Sequence, residues 1–143
     1  MKMEDDELRQ ALAILETYNA QLEALNRQVR LLQVSLDDTM RARESFKALA
    51  DAKEGDEILI PVGASSFIRA KVTDKKTAIV GIGNRISAEK DLTEAAEFMD
   101  AGVAEITAAL RETITTLNGV EKMSSELTAA VENEYQHRQQ SFQ

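Results

Sequence analysis

Two long segments with a seven-residue apolar repeat constrain the fold of this 143-residue chain most. Between residues 4 and 54, apolar side chains recur at alternating spacings of three and four, which keeps one narrow stripe facing a partner helix in a coiled coil. An ordinary amphipathic surface helix is the alternative, but such helices usually end by about 20 residues. Eleven of the thirteen core positions are apolar, and the exceptions are Thr39 and Arg43. The apolar ones are Leu8, Ala11, Leu15, Tyr18, Leu22, Leu25, Val29, Leu32, Leu36, Phe46 and Ala50. The spacing therefore predicts a coiled-coil helix over residues 4–54, ended by Gly55.

Residues 88–140 carry the same repeat, and ten of their fourteen core positions are apolar. We expect this second helix to follow a cap at Ser87, since a serine side chain can accept hydrogen bonds from the free N–H groups of a helix start. The polar exceptions in the repeat are Thr113, Ser124, Glu134 and Arg138. Because the two segments match in length and flank a segment that reverses the chain, they are predicted to pair as an antiparallel coiled-coil hairpin.

The segment between them, residues 56–87, is rich in β-branched and apolar residues at strand spacing. Turn residues at 63–65 and at Gly83-Asn84 each close a β-hairpin, and the polar turn at 73–76 separates the two hairpins. Both faces carry apolar side chains and small isolated sheets are marginal in water, so we expect the hairpins to assemble with other chains. The alternative is that they pack only on the bases of their own two helices. The predicted assembly residues are Ile58, Ile60, Val62, Phe67, Ile68, Val72, Ile79, Val80 and Ile82.

The end of the predicted coiled coil that holds both chain termini departs from the repeat. Glu134 and Arg138 occupy core positions there, which predicts that the two helices separate and expose apolar side chains. Exposed apolar patches generally mark binding surfaces. Terminal fraying without function is the alternative. The predicted binding residues at this end are Leu8, Leu12, Leu15, Val131 and Tyr135.

Charge and composition exclude several functions. The formal net charge is −8, and the acidic second helix is a poor match for nucleic acid. The N-terminus lacks the apolar region of a secretory signal, and apolar runs stay below the roughly 20 residues of a membrane span, so we expect a soluble, cytoplasmic protein. Gly81-Ile82-Gly83 has Ile86 where a dinucleotide loop needs a small residue, and His137 is the sole histidine. The sequence predicts no enzyme, cofactor or metal site.

Two short runs resemble a known family. Ile58-Leu59-Ile60-Pro61-Val62-Gly63 is similar to the apolar-proline-apolar-glycine strand of the prefoldins, and Ile79-Val80-Gly81-Ile82-Gly83 to their Val-x-Ile-Gly strand and turn. Two hairpins rather than one favour the alpha class, of archaeal type, and the resemblance covers almost the whole chain. It implies one prefoldin-like domain over residues 1–143, mainly α with a small β part whose hairpins form an intersubunit β-barrel platform.

The resemblance also implies a function and partners. Such a subunit assembles as two alpha and four beta chains into an ATP-independent molecular chaperone, a holdase. Its coiled-coil tips capture unfolded client proteins and deliver them to a group II chaperonin. The alternative function is a structural coiled-coil adaptor that binds specific folded partners.

Overall fold

The structure is a computed structural model that describes residues 3–142, and this part of the chain comprises two long helices joined by two β-hairpins. Its elements are α1 (Asp5–Asp51), β1 (Glu57–Gly63), β2 (Ser66–Lys71), β3 (Thr77–Gly83), β4 (Ile86–Asp91) and α2 (Leu92–Ser141). Contacts divide the chain into two compact units. The central unit is Ser35–Ile106, and the terminal unit comprises the segments up to Val34 and from Thr107 onward. Within residues 3–142, neither helix has a stretch long and apolar enough to cross a membrane.

The coiled-coil prediction is confirmed in both helices. All thirteen core positions of α1 and all fourteen of α2 are buried or half-buried, whereas most residues between them are exposed. In the terminal unit, the Tyr18 hydroxyl lies 3.9 Å from Met123 Sδ, and Met3 contacts Glu134. In the central unit, Arg43 Nη1 reaches Asp100 Oδ1 at 3.5 Å. In the terminal unit, the contacts of Met3 with Glu134 and of Tyr18 with Met123 show that residue numbers fall along α2 as they rise toward and along α1. The two helices therefore run antiparallel there.

The two hairpins of the central unit have the same architecture, repeated twenty residues later. β1 pairs with β2 and β3 pairs with β4, each antiparallel, with register shifts at Pro61/Gly63 and Gly81/Gly83. Each hairpin closes on two central residues with positive φ, Ala64-Ser65 in the first and Asn84-Arg85 in the second. Positive φ at both central residues is the geometry that matches the twist of the flanking strands. The hairpins are therefore equivalent modules rather than parts of one continuous sheet.

Two predicted helix boundaries are wrong. Ser87 does not cap the second helix, because it lies in β4 opposite Gly81, and α2 begins only at Leu92. The polar run of residues 87–91 reads as a helix start in the sequence, but its backbone groups pair with β3 instead. The first helix ends at Asp51 rather than 54. Gly55 does adopt the left-handed region, with φ of 88°, in a turn where the Asp56 N–H donates to the Lys53 carbonyl.

A lysine from the connection between the hairpins caps the end of α1. The last residues of α1 are Ala48-Leu49-Ala50-Asp51, which place a negative charge where the helix dipole favours a positive one. Lys76 Nζ donates to the carbonyl oxygens of Ala52 and, at 3.2 Å, Leu49. This lysine therefore places a cation at the carbonyl end of α1 and ties the hairpins to that end of the helix.

Candidate functional site

The terminal unit has a small apolar cluster near both ends of the chain. Leu8, Ala11 and Val131 are buried together, and three partly buried side chains pack against them. Those three are Met3, Leu15 and Leu127. Leu8 and Ala11 come from the core stripe of α1 and Val131 from that of α2, so the heptad pattern itself brings them together.

A charged pair that lies on the core stripe of α2 completes the seam beyond this cluster. Glu134 is only 1% exposed, and its Oε1 accepts a hydrogen bond from Arg138 Nε at 2.9 Å. The backbone N–H of Met3 donates to Glu134 Oε2 at 3.0 Å, and Arg138 Nη2 donates to the Met3 carbonyl oxygen at 3.3 Å. Arg138 Nη1 also lies 2.9 Å from Asp5 Oδ1. Met3, Asp5, Glu134 and Arg138 together are called the polar cluster below.

Titration of the polar cluster follows from these bonds. The Arg138 hydrogen bond, followed by the backbone bond from Met3, lowers the pKa of Glu134 below its ordinary value. The pKa of Arg138 is raised in turn, chiefly by its hydrogen bond to Glu134. Both residues are therefore charged at neutral pH, and the buried carboxylate is held by a cation and a backbone donor.

The expected separation of the helices at this end is wrong. Leu8 and Val131 are 8% and 5% exposed, so neither offers the free apolar surface that the sequence predicts, and Leu15 is half-buried. The physical reason is that the charged core positions do not break the seam, because Glu134 and Arg138 satisfy each other and bond to Met3. Of the predicted binding residues, Leu12 and Tyr135 are exposed. Whether any of the five contacts a client stays a prediction.

Sequence reasoning missed an apolar groove on one flank of the terminal unit. The groove has a volume of about 390 Å³ and lies between exposed Ile14 and Met123. Its lining is predominantly apolar and consists of Ile14, Tyr18, Met123, Glu126, Leu127 and Ala130. Counted along the heptads, Ile14, Met123 and Ala130 all hold position g, and g positions face each other in an antiparallel pair. That shared position was the available signal, whereas Leu12 and Tyr135 hold position e on the opposite flank.

The hairpins present most of the predicted assembly residues to solvent. Ile79 is the extreme case at 79% exposed, while Val80 on the opposite face of β3 is buried within its own chain. Ile58 and Val72 are half-buried. Leu59 and Ile86 are exposed as well and were not predicted. The alternation assigned Leu59 to the face opposite Ile58 and Ile60, and Ile86 lies directly after the turn of the second hairpin. The exposed predicted residues are Ile60, Val62, Phe67, Ile68, Ile79 and Ile82.

Val80 is the one predicted assembly residue that the structure removes from the available surface. It is buried within the single chain, whereas Ile82 on the same side of β3 is 46% exposed. The exposed face, by contrast, leaves large apolar side chains without cover, which is unusual for a protein that acts as a monomer.

The comparisons with known proteins agree with this fold. Residues 18–140 match the family model described as prefoldin subunit. The chain is 33% identical to the prefoldin subunit alpha of Methanothrix thermoacetophila over 97 residues, 68% of this chain and 63% of that relative. It is 29% identical to prefoldin subunit alpha 1 of Methanocaldococcus jannaschii, over 95% of this chain and 93% of that relative.

A solved structure shows the same fold. The crystal structure of the prefoldin beta subunit from Thermococcus strain KS-1 aligns with a TM-score of 0.59 at 14% identity, covering 93% of this chain and 96% of that one. At this identity the likeness concerns the fold alone. The family match, by contrast, extends over both helices and both hairpins, and with it the chain belongs to the prefoldin family, in the alpha class known from archaea.

Proposed function

We propose that this chain is the alpha subunit of an ATP-independent holdase that captures unfolded proteins and passes them to a group II chaperonin. The observation that carries the proposal is the apolar groove on the terminal unit, which offers shallow, unspecific apolar contact to a partner. The family supplies the coarser statement, that the chain is a chaperone subunit. Client capture, delivery and a complex of two alpha and four beta chains form our proposal.

The lining of the groove suits a partner without a fixed sequence. Met123 is unbranched and adaptable, and a thioether can pack against side chains of many shapes. Full burial of one side chain of this size contributes only about 1.5–3 kcal/mol, so a single groove holds a client weakly. Several such sites in one complex raise the effective concentration and give useful retention, while each contact still releases easily.

The exposed faces of the hairpins support the assembly part of the proposal. Ile79, Phe67 and Ile68 lie on strands whose outer edges are unpaired in the single chain. Such edges pair readily with strands of other chains, and their apolar side chains are then covered. We propose that the hairpins join this chain to prefoldin beta subunits in a β-barrel platform.

A matched pair of double variants tests the groove. Ile14→Ser with Met123→Ser removes its two exposed apolar walls, and Leu31→Ser with Val34→Ser removes a similar area from exposed positions of α1 outside the groove. In the assembled complex, we expect the groove variant to need about threefold more protein to suppress aggregation of a denatured client. The control should behave as wild type. Equal protection by both variants would contradict the groove as the client site.

The adaptor remains the second candidate, because the half-buried Arg43 on the core stripe pairs with Asp100 at 3.5 Å, and a polar group at a core position can fix the register of a coiled coil. It predicts that wild-type protein does not suppress aggregation at any ratio and instead copurifies with one folded partner in fixed proportion. Suppression of aggregation by the wild-type complex separates the two functions in a single assay.

A further inference from the structure

The polar cluster of the terminal unit is used neither by the groove nor by the hairpins. It puts a fully buried carboxylate and the half-buried guanidinium of Arg138 on a core stripe whose other interruptions in the terminal part of α2 are the small neutral side chains of Thr113 and Ser124. An apolar residue at position 134 would close the seam by packing alone. Here closure depends instead on a set of mutually dependent hydrogen bonds.

We propose that the polar cluster is a latch that holds the terminal unit closed, and that opening it exposes the apolar cluster of Leu8, Ala11 and Val131 as additional client-binding surface. The latch deepens the proposed function, since its role in capture rests on client binding by this unit. Its opening and closing, however, concern the chain alone and are measured without a client.

The bonds converge on a residue that precedes the helix. Met3 lies before the first residue of α1, and both its N–H and its carbonyl oxygen are bound by side chains of α2. Glu134 takes the first and Arg138 the second, and the two side chains also bond to each other. Loss of one member leaves a buried polar group of another unsatisfied, so the set forms or breaks as a unit.

The apolar packing behind the latch is small. The apolar cluster behind the latch has only three buried side chains, two from α1 and one from α2. Asp5, which supplies the remaining contact, is 79% exposed along its side chain, and exposed ion pairs contribute little. Terminal segments with so few buried contacts open at a low free-energy cost compared with unfolding of the whole protein.

Leu127 connects the latch to the groove. It lines the groove and also packs against the apolar cluster of Leu8, Ala11 and Val131. Release of the first turns of α1 would therefore extend the apolar floor of the groove rather than create a separate patch. The closed form then offers a small client site, and the open form a larger, continuous one.

Hydrogen exchange of the assembled complex tests the latch directly. Glu134→Gln keeps the shape of the side chain but removes the ion pair with Arg138, while Glu132→Gln makes the same charge change at an exposed position two residues away. We expect about tenfold faster exchange of amides in residues 5–11 for Glu134→Gln. Peptides of the hairpins, residues 57–91, and the Glu132→Gln complex should exchange as wild type.

A second variant shifts the latch in the opposite direction. Glu134→Leu with Arg138→Leu continues the apolar stripe, so residues 5–11 should exchange more slowly than in wild type. Binding of reduced, carboxymethylated α-lactalbumin, a permanently unfolded chain, should then strengthen about threefold in Glu134→Gln and weaken in the double leucine variant. Wild-type exchange in both variants would overturn the latch, whatever the clients do.

The two proposals fail in different ways. In one outcome, both latch variants change hydrogen exchange but bind the client as wild type does, while the groove variant binds it poorly. That outcome overturns the role of the latch in client binding and leaves the holdase proposal intact. Altered exchange in a wild-type complex that does not bind the unfolded chain overturns the holdase, while the latch is supported as a property of the chain.

Discussion

Glu134 illustrates how the bonds of one side chain stabilise the closed seam of the terminal unit. It holds a core position, is almost completely inaccessible, and is bonded to Arg138 from its own helix and to the backbone of Met3 from the other end of the chain. Removing a carboxylate from water is costly unless its oxygens are bonded, and here both oxygens are. The residue therefore stabilises the closed seam only while it stays ionised.

Acid should weaken that seam. Because the pKa of Glu134 is lowered in the folded chain, the residue contributes stability at pH above its unfolded value of about 4.3, and this contribution is lost as the pH falls through the lowered folded value. We expect the difference in free energy of unfolding between wild type and Glu134→Gln to be constant near neutral pH and to disappear in acid. Urea denaturation across this range measures it.

The neighbouring charges define the control for that measurement. Arg138 and His137 lie near Glu134 on α2, and Asp5 at the start of α1 contacts the other side of Arg138. Asp5 is a second carboxylate bonded to Arg138, so Asp5→Asn is carried through the same series. The assignment to Glu134 is contradicted if the free energies of unfolding of wild type and Glu134→Gln still differ by the same amount in strong acid. It is also contradicted if Asp5→Asn lowers the free energy of unfolding as much as Glu134→Gln does, with the same pH dependence.

The closed seam was missed from the sequence for a specific reason. Charged residues at core positions normally interrupt a coiled coil, and periodicity alone does not show where their bonds go. The spacing of Glu134 and Arg138, four residues apart, was a readable sign that they pair on one helix face. The backbone of Met3 as the third partner was not readable, because it depends on the axial alignment of the two helices.

At the scale of elements, the junction between α1 and the hairpins depends on Lys76. Its ammonium group donates to two carbonyl oxygens at the end of α1, and its own carbonyl oxygen accepts from the Leu92 N–H at the start of α2. The same residue thus serves the end of one helix through its side chain and the start of the other through its backbone.

Replacing this lysine should destabilise the central unit modestly. Lys76→Met keeps most of the aliphatic stem but removes the charge at the helix end, which is typically worth about 0.3–1 kcal/mol. Lys75→Met, at the adjacent exposed position, is the matched control and should change the midpoint of urea denaturation very little. If both variants unfold at the same denaturant concentration as wild type, the capping role is refuted.

The elements themselves were largely predictable, and their ends were not. Every position that the seven-residue spacing assigned to the core is buried or half-buried, since that pattern reports burial directly, although it left out the buried Ala95 of α2. The boundary at Ser87 failed because Glu89, Lys90 and Asp91 are polar residues in an exposed strand, where side-chain polarity and helix-start chemistry look alike. What holds them in β4 is backbone pairing with Thr77, Ala78 and Ile79, which no local signal reveals.

At the scale of the whole molecule, the exposed hairpin faces allow assembly to be tested without disturbing the fold of the single chain. Ile79 is largely exposed in the single chain, so Ile79→Asp should leave the helices intact and disrupt the complex with partner subunits. Val80→Asp would bury a charge in the chain itself and is not informative about assembly. Native mass measurement gives the state of the complex, and circular dichroism gives the helix content.

Leu31→Asp is the control for that experiment, because it makes the same change at an exposed apolar position of α1. We expect its complex to keep the wild-type mass. An intact complex in the Ile79→Asp variant would remove the hairpins from the proposed platform, and loss of helix content in that variant would show that β3 supports the chain's own fold.

The twenty-residue repetition of the hairpins bears on how many neighbouring chains one chain can contact. Each residue of the first hairpin has a counterpart in the second with the same place in the register, as Glu57 has in Thr77 and Arg69 in Glu89. Arg69 bonds to Glu57, and Thr77 bonds to Glu89, so the two modules keep a cross-strand contact at the same site with different chemistry. Under the proposed assembly, a chain with two such modules presents two surfaces of one shape and different chemistry, and can therefore pair with two different neighbours.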